Sequence, residues 1–262
     1  MNQQSLFLNI GSMRLKTLIV GELASNKPCI ILMHGGLDCL ATWKGYPEQL
    51  AKMTGLTVVA YERFGHGESG CLSDLRTADY RHLEANETLP AVVNKLGLDK
   101  IILVGHSDGA AMSLLAAESL QLNIIGVCAI APPLVPDEIV RDGIVEAVKD
   151  YEEGDLAQKL RLFHGDATDA LFYGWAKPWL SSEFDDWSCA EEIQAIRCPV
   201  HAIFGQADDY GYRASMAVIT NNLTAPMELL VLNGIGHMPH HHARKETIDS
   251  INRLITRTAC HE

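Results

Sequence analysis

Six short runs of almost unbroken apolar residues recur along this chain, at 29–33, 56–61, 100–104, 124–131, 200–204 and 227–232. A strand that is apolar on both faces has to be covered on both, and a parallel sheet between two layers of helices does that. The intervals between the runs carry apolar residues at three- and four-residue spacing, which predicts helices over 80–96, 110–120, 212–221 and 246–258. Strand and helix therefore alternate, and the class is α/β. Ahead of the runs, residues 6–10 and 13–20 alternate or are β-branched. The turn-forming Asn9-Ile10-Gly11-Ser12 between them predicts an antiparallel hairpin at a sheet edge.

The alternation breaks once. Between 132 and 196 the spacing predicts helices over 137–152, 155–163 and 167–179 and no strand, and Pro132-Pro133 and Arg197-Cys198-Pro199 punctuate the two ends. This interval reads as a helical cap inserted between two strands of a core made of 1–131 and 197–262. A chain of 262 residues suits one core with such an insertion. The cap is rich in aromatics, with Phe172, Tyr173, Trp175, Trp179, Phe184 and Trp187. Such side chains either line an apolar pocket over the sheet edge or hold the cap's own helices together.

Charge narrows the partners. With 33 Asp and Glu against 21 Lys and Arg the formal net charge is −12, so a phosphate backbone or an anionic membrane surface is repelled on average. Seven scattered cysteines, never in CxxC spacing, suggest neither a disulfide framework nor a thiolate zinc site and fit a reducing compartment. The first residues lack a basic segment followed by an apolar one, and no run of about 18 apolar residues occurs, as a membrane span would need. The expectation is a cytoplasmic monomer or homodimer that binds neither nucleic acid nor membrane.

One motif carries chemistry. Gly105-His106-Ser107-Asp108-Gly109 follows an apolar run and precedes the small residues Ala110-Ala111, the setting of a sharp strand-to-helix turn. Such a turn strains the serine backbone, needs small neighbours, and presents the hydroxyl near the positive end of the next helix. A serine hydroxyl is a weak nucleophile and needs a base oriented by a carboxylate. Gly205-Gln206-Ala207-Asp208-Asp209 and Gly234-Ile235-Gly236-His237 end two other apolar runs. All three segments thus fall at the C-terminal ends of strands, where α/β sheets build their sites.

Taken with His34-Gly35-Gly36 and Arg63-Phe64-Gly65-His66-Gly67-Glu68-Ser69, these segments make the chain resemble the α/β-hydrolase family over nearly its whole length. The resemblance implies a mostly parallel eight-stranded sheet flanked by helices. It also implies a triad of Ser107, Asp208 and His237, and an oxyanion hole from the backbone N–H groups of Gly36 and Asp108. Leu37, Trp175 and Trp179 are the candidate substrate contacts.

Some assignments stay open. Asp209 rivals Asp208 as the acid, although the three-residue offset from Gly205 favours Asp208. His240, His241 and His242 could chelate a metal, yet adjacent positions on a helix face different ways, and an exposed first turn opened by Pro239 is the better reading. His34, His66 and His106 are expected to pack or to orient loops. The Asp108 carboxylate either is stabilised by the N-terminus of the elbow helix, the preferred reading, or disfavours anionic acyl groups.

The function implied is acyl transfer on a small or medium uncharged ester, lactone or thioester, with no metal and no organic cofactor. Relatives on this fold include carbon–carbon bond hydrolases, lyases and cofactor-free haloperoxidases, and some plant hormone receptors that keep the triad, so fold alone does not settle chemistry.

Overall fold

The computed structural model describes residues 2–24, 27–70, 76–119 and 121–259. The expected hairpin forms from β1 (Gln3–Ile10) and β2 (Met13–Val20), paired antiparallel with Ile10 opposite Met13. Gly11 has φ +58°, as a two-residue hairpin loop with glycine in its first position demands. The apolar runs become β3 (Cys29–Met33), β4 (Thr57–Tyr61), β5 (Lys100–His106), β6 (Asn123–Ile130), β7 (Val200–Gly205) and β8 (Met227–Leu232). They build one eight-stranded sheet in the order β1-β2-β4-β3-β5-β6-β7-β8. Its six strands from β4 to β8 are mutually parallel, and β2 runs antiparallel to both its neighbours.

Side-chain alternation sorts the central strands between two cores. Ile31, Met33, Ile101, Leu103, Val127 and Ala129 face one side, against α3 (Leu89–Leu96) and α4 (Asp108–Glu118). Ile30, Leu32, Ile102, Val104, Cys128 and Ile130 face the other, against α1 (Tyr46–Thr54) and α11 (Arg244–Ala259). Every one of these strand residues is buried, which is why their sequence shows a continuous apolar run rather than alternation. The expected helix over 110–120 starts two residues earlier; its predicted last residue, Leu120, lies outside the described ones.

The predicted helix over 80–96 is divided. Helix α2 (Tyr80–Leu83) passes through a π-helical turn at Glu84–Thr88 before α3 begins. Pro90 has no N–H and its ring crowds the carbonyl four residues back, so the chain widens there. Between β6 and β7 run α5 (Glu138–Glu153), α6 (Leu156–His164), α7 (Thr168–Leu180) and α8 (Ala190–Ala195), with no strand among the described residues of the interval. Asp137 caps α5 by accepting from the Val140 N–H at 2.9 Å. Helix α9 (Arg213–Asn222) and the four-residue α10 (Pro239–His242) complete the set. Among the described residues no helix is long and apolar enough to cross a membrane.

The insertion has a core of its own, in which Val140, Ile144, Tyr151, Phe172, Trp175, Trp179 and Phe184 pack together. Leu103, fully buried in the centre of the main sheet, gauges how tightly the larger core is filled. Leu103→Ala is expected to cost about 2–5 kcal/mol, read as a lowered urea midpoint with an unchanged m-value.

Candidate active site

Ser107 sits between β5 and α4 at φ 52°, ψ −123°, a backbone conformation that costs of order 1–3 kcal/mol for a residue with a side chain. Its surroundings impose it. The Ser107 N–H donates to the Ile130 carbonyl at 2.9 Å, and the Ser107 carbonyl accepts from Ala110 and Ala111 at 2.8 and 3.1 Å. Flanking glycines are required by contact: a Cβ on Gly105 would collide with the Gly109 carbonyl, and one on Gly109 with the carbonyls of Met33 and His34.

The other two candidates arrive on loops that touch. A Cβ on Gly205 would collide with the carbonyls of Ile235 and Gly236, so the backbones after β7 and β8 meet there. Ala207 N–H also donates to the Ile235 carbonyl at 2.8 Å. Across this contact, His237 Nδ1 lies 2.8 and 3.0 Å from the two carboxylate oxygens of Asp208, and Nε2 lies 3.0 Å from Ser107 Oγ. A carboxylate only accepts, so Nδ1 carries the proton and Nε2 is left to accept from the serine hydroxyl. Asp208 also accepts from the Tyr210 N–H at 2.9 Å. Asp209, the rival acid, is exposed.

Gly36 and Asp108 line the same pocket, and among the described residues neither backbone N–H has an acceptor. The loop that carries Gly36 is held from behind. Arg63 donates to the carbonyls of His34 and Gly35, His34 Nε2 accepts from the Arg63 N–H at 3.1 Å, and His66 Nε2 donates to the Gly36 carbonyl at 3.1 Å. Burial pushes both imidazoles well below their usual pKa, with Arg63 adding to the effect, so these rings work as neutral hydrogen-bonding struts.

The Asp108 side chain turns away to a partner the sequence did not reveal. Its Oδ1 accepts from Arg81 Nε and Nη2 at 3.0 and 2.6 Å, and Oδ2 accepts from the Tyr80 hydroxyl at 2.6 Å. Both charges are buried, with side chains 0% and 1% exposed. Burial raises the Asp108 carboxyl, but the charge of Arg81 and the Tyr80 and Arg81 hydrogen bonds outweigh it and leave the group ionised. The guanidinium in turn lies 4.4 Å from the Trp179 ring and 5.0 Å from that of Trp187, so aromatics of the insertion face the cation. The position of Asp108 in the first turn of α4 is thus joined by a buried cation and a hydroxyl in stabilising this carboxylate.

A pocket of about 610 Å³, counting its open mouth, lies above Ser107. Leu37, Trp175 and Trp179 line it, as do Val140, Ile144 and Tyr210, which the sequence reading missed. Val140 and Ile144 form an i, i+4 apolar pair on α5, the one signal that could have found them. Trp175 lies so close that a Cβ on Gly36 would come within 2.5 Å of its Nε1, so the glycine admits the indole. Phe172 and Phe184, by contrast, are buried in the insertion's own core.

The histidine run is not the exposed first turn expected of it. His240 is buried against Trp43, Tyr46 and His106, His241 is half-buried, and only His242 is exposed. Pro239 opens a helix of a single turn, and the ring after it points inward toward α1. Among the described residues no group of three or more His, Cys, Asp or Glu is placed to hold a metal ion. His164, at the end of α6, bridges the insertion to the main domain. Its Nδ1 accepts from the Gly67 N–H at 2.9 Å and its Nε2 donates to the Leu37 carbonyl at 3.0 Å.

With this geometry in view, the comparisons with known proteins are direct. Residues 30–250 match the model of the alpha/beta hydrolase family, and the chain belongs to that family. A proline iminopeptidase of Lactobacillus delbrueckii subsp. lactis is 30% identical over 109 residues, which are 42% of this chain and 37% of that protein. The chain thus spans little more than a third of the length of that relative. Among solved structures, the proline iminopeptidase of Mycobacterium smegmatis superposes with a TM-score of 0.77 at 17% identity, covering 99% of this chain and 100% of that one. The enol-lactonase of Burkholderia xenovorans gives 0.74 at 19% identity, covering 96% and 100%. At these identities the likeness is one of fold.

Two outcomes follow from the electrostatics. Arg81→Met leaves the Asp108 carboxylate buried without its cation and is expected to cost about 3–5 kcal/mol in urea denaturation, much of it recovered on adding Asp108→Asn. Burial holds His34, His66, His164 and His240 below their ordinary pKa. Below about pH 6.5 the unfolded chain takes up protons that these folded sites refuse, so stability falls as pH falls. The melting temperature at pH 5 is expected to lie below that at pH 7.5, and His164→Gln should make the dependence shallower.

Proposed function

We propose that the protein is a serine hydrolase acting through an acyl-enzyme on small or medium uncharged carboxylic esters, lactones or thioesters included. The observation that carries this reading is the hydrogen-bonded line from Ser107 Oγ through His237 to Asp208, opening on an apolar pocket. His237 Nε2 removes the hydroxyl proton as Oγ attacks the substrate carbonyl. The N–H groups of Gly36 and Asp108 donate to the oxygen on which negative charge develops. The tetrahedral intermediate collapses, His237 returns the proton to the leaving alcohol or thiol, and water activated by the same Nε2 then frees the acid.

An uncharged acyl group is favoured because, among the described residues, the pocket is lined mostly by apolar side chains and by no lysine or arginine that would hold an anion. The inserted helices 132–196 act as a cap, with Leu37, Trp175 and Trp179 as the apolar contacts of the substrate. Structural neighbours of the same fold are named enol-lactonase and proline iminopeptidase, and the apolar lining of the pocket supports the ester.

The test is labelling by a fluorophosphonate probe together with a panel of aryl esters, a prolyl arylamide and diketones. Wild type is expected to label and to turn over aryl esters, and Ser107→Ala to lose labelling and at least about 10⁴-fold in kcat. A well-folded wild type that does not label would sink the hydrolase reading in favour of a binding protein. Turnover confined to the arylamide or the diketones would move the substrate class.

A further inference from the structure

We propose that Asp38 and His106 form a second carboxylate–imidazole pair, set in the pocket wall beside the nucleophile, which fixes the main chain of His237 and so positions the general base. The inference rests on the reading of Ser107 as nucleophile and His237 as base; Asp38 and His106 line the same pocket, but their hydrogen bonds go to each other, to the Gly35 N–H and to the His237 carbonyl rather than to the serine hydroxyl, and they act through His237.

His106 closes β5 immediately before Ser107 and is almost fully buried. Its Nε2 lies 2.9 Å from the backbone carbonyl oxygen of His237. That oxygen can only accept, so Nε2 bears a proton. Its Nδ1 lies 3.3 Å from Asp38 Oδ2. For that contact to be a hydrogen bond a second proton must sit there, either on the imidazole, facing a carboxylate, or on the carboxyl, facing a neutral ring. In both arrangements the pair is neutral as a whole and retains one proton between its two partners. A carboxylate without it would face the lone pair of Nδ1.

The pair also closes a circuit. Asp38 Oδ2 accepts from the Gly35 N–H at 3.2 Å, and Gly35 adjoins Gly36, the proposed oxyanion donor. A continuous line of hydrogen bonds thus runs from the Gly35-Gly36 loop through Asp38 and His106 to the main chain of His237, along the wall of the pocket that holds Ser107. The fit is close: a Cβ on Gly35 would lie 2.5 Å from Asp38 Oδ2 and 3.1 Å from His106 Nδ1. Asp208 holds the His237 ring by its Nδ1, which leaves the position of the loop itself to other contacts. Among the described residues, the His237 carbonyl takes its hydrogen bond from His106.

The charged and titratable neighbours are consistent with this role. Burial pushes the Asp38 carboxyl up, but the hydrogen bond and charge of His106, with His34 and His240 adding to them, carry it below the usual carboxylate range. His106 itself is faced by Asp38 and by the rings of His237 at 5.0 Å and His240 at 4.4 Å. Among the described residues, no lysine or arginine lines the pocket.

The experiment compares wild type, Asp38→Asn, His106→Ala and His106→Gln for hydrolysis of an aryl ester, with thermal melts to establish folding, and records low-field proton NMR of each. Displacing the base is expected to lower kcat by about 10–100-fold while KM stays within about threefold. His106→Gln keeps a donor for the His237 carbonyl and should recover most of what His106→Ala loses. Wild type should show a second low-field imidazole proton beside that of the Asp208–His237 bond, absent from Asp38→Asn and both His106 variants. If His106→Ala does not fold, the near-isosteric Asp38→Asn decides. Folded variants with wild-type kcat, or a low-field spectrum that Asp38→Asn leaves unchanged, would overturn the inference while fluorophosphonate labelling of wild type still upheld the hydrolase reading. A wild type that neither labels nor turns over ester would remove the base itself, and the positioning role with it.

Discussion

Close approach of backbone to backbone is the constraint on which this structure turns. Gly109 lies against the carbonyls that end β3, Gly105 against the first turn of α4, and Gly205 against the loop that follows β8. A side chain at any of the three would force the strand ends apart. Because none is present, four segments far separated in sequence converge within a few ångströms at the carboxyl edge of the sheet. The strained Ser107 backbone is tolerated there because neighbours on β6 and α4 hold it at both its N–H and its carbonyl.

What the sequence made legible was what short-range pattern can encode. Runs apolar on both faces marked the central strands, and the interval without them marked the helical insertion. The ends of three of those runs placed Ser107, Asp208 and His237 on one edge, and they meet there at hydrogen-bonding distance. The expected α/β hydrolase fold is the one observed.

Partners set by tertiary contact were hidden. Arg81 is one arginine on an ordinary amphipathic stretch, and nothing local announces that it neutralises Asp108, 27 residues away. His106 and Asp38 stood in the quoted motifs or beside them, yet their pairing spans 68 residues and depends on how β3 and β5 lie in register. His240 looked like surface because periodicity cannot fix the facing of a single-turn helix. The π turn before Pro90 escaped because the apolar spacing on either side of it still reads as one helix.

The few polar threads between the α5–α8 insertion and the sheet have a consequence for how such a protein diversifies. His164 reaches two main-chain groups, the Gly67 N–H and the Leu37 carbonyl, and the insertion's aromatics meet a cation that belongs to the main domain. Backbone partners are indifferent to side-chain identity, and a guanidinium accepts many arrangements of aromatic faces. An exchange of these helices for others would therefore need to carry over one imidazole, a carboxylate facing His82 and a flat apolar wall to remain seated. The pocket above Ser107 could then be reshaped by recombination of whole segments, leaving the bond-making edge of the sheet untouched.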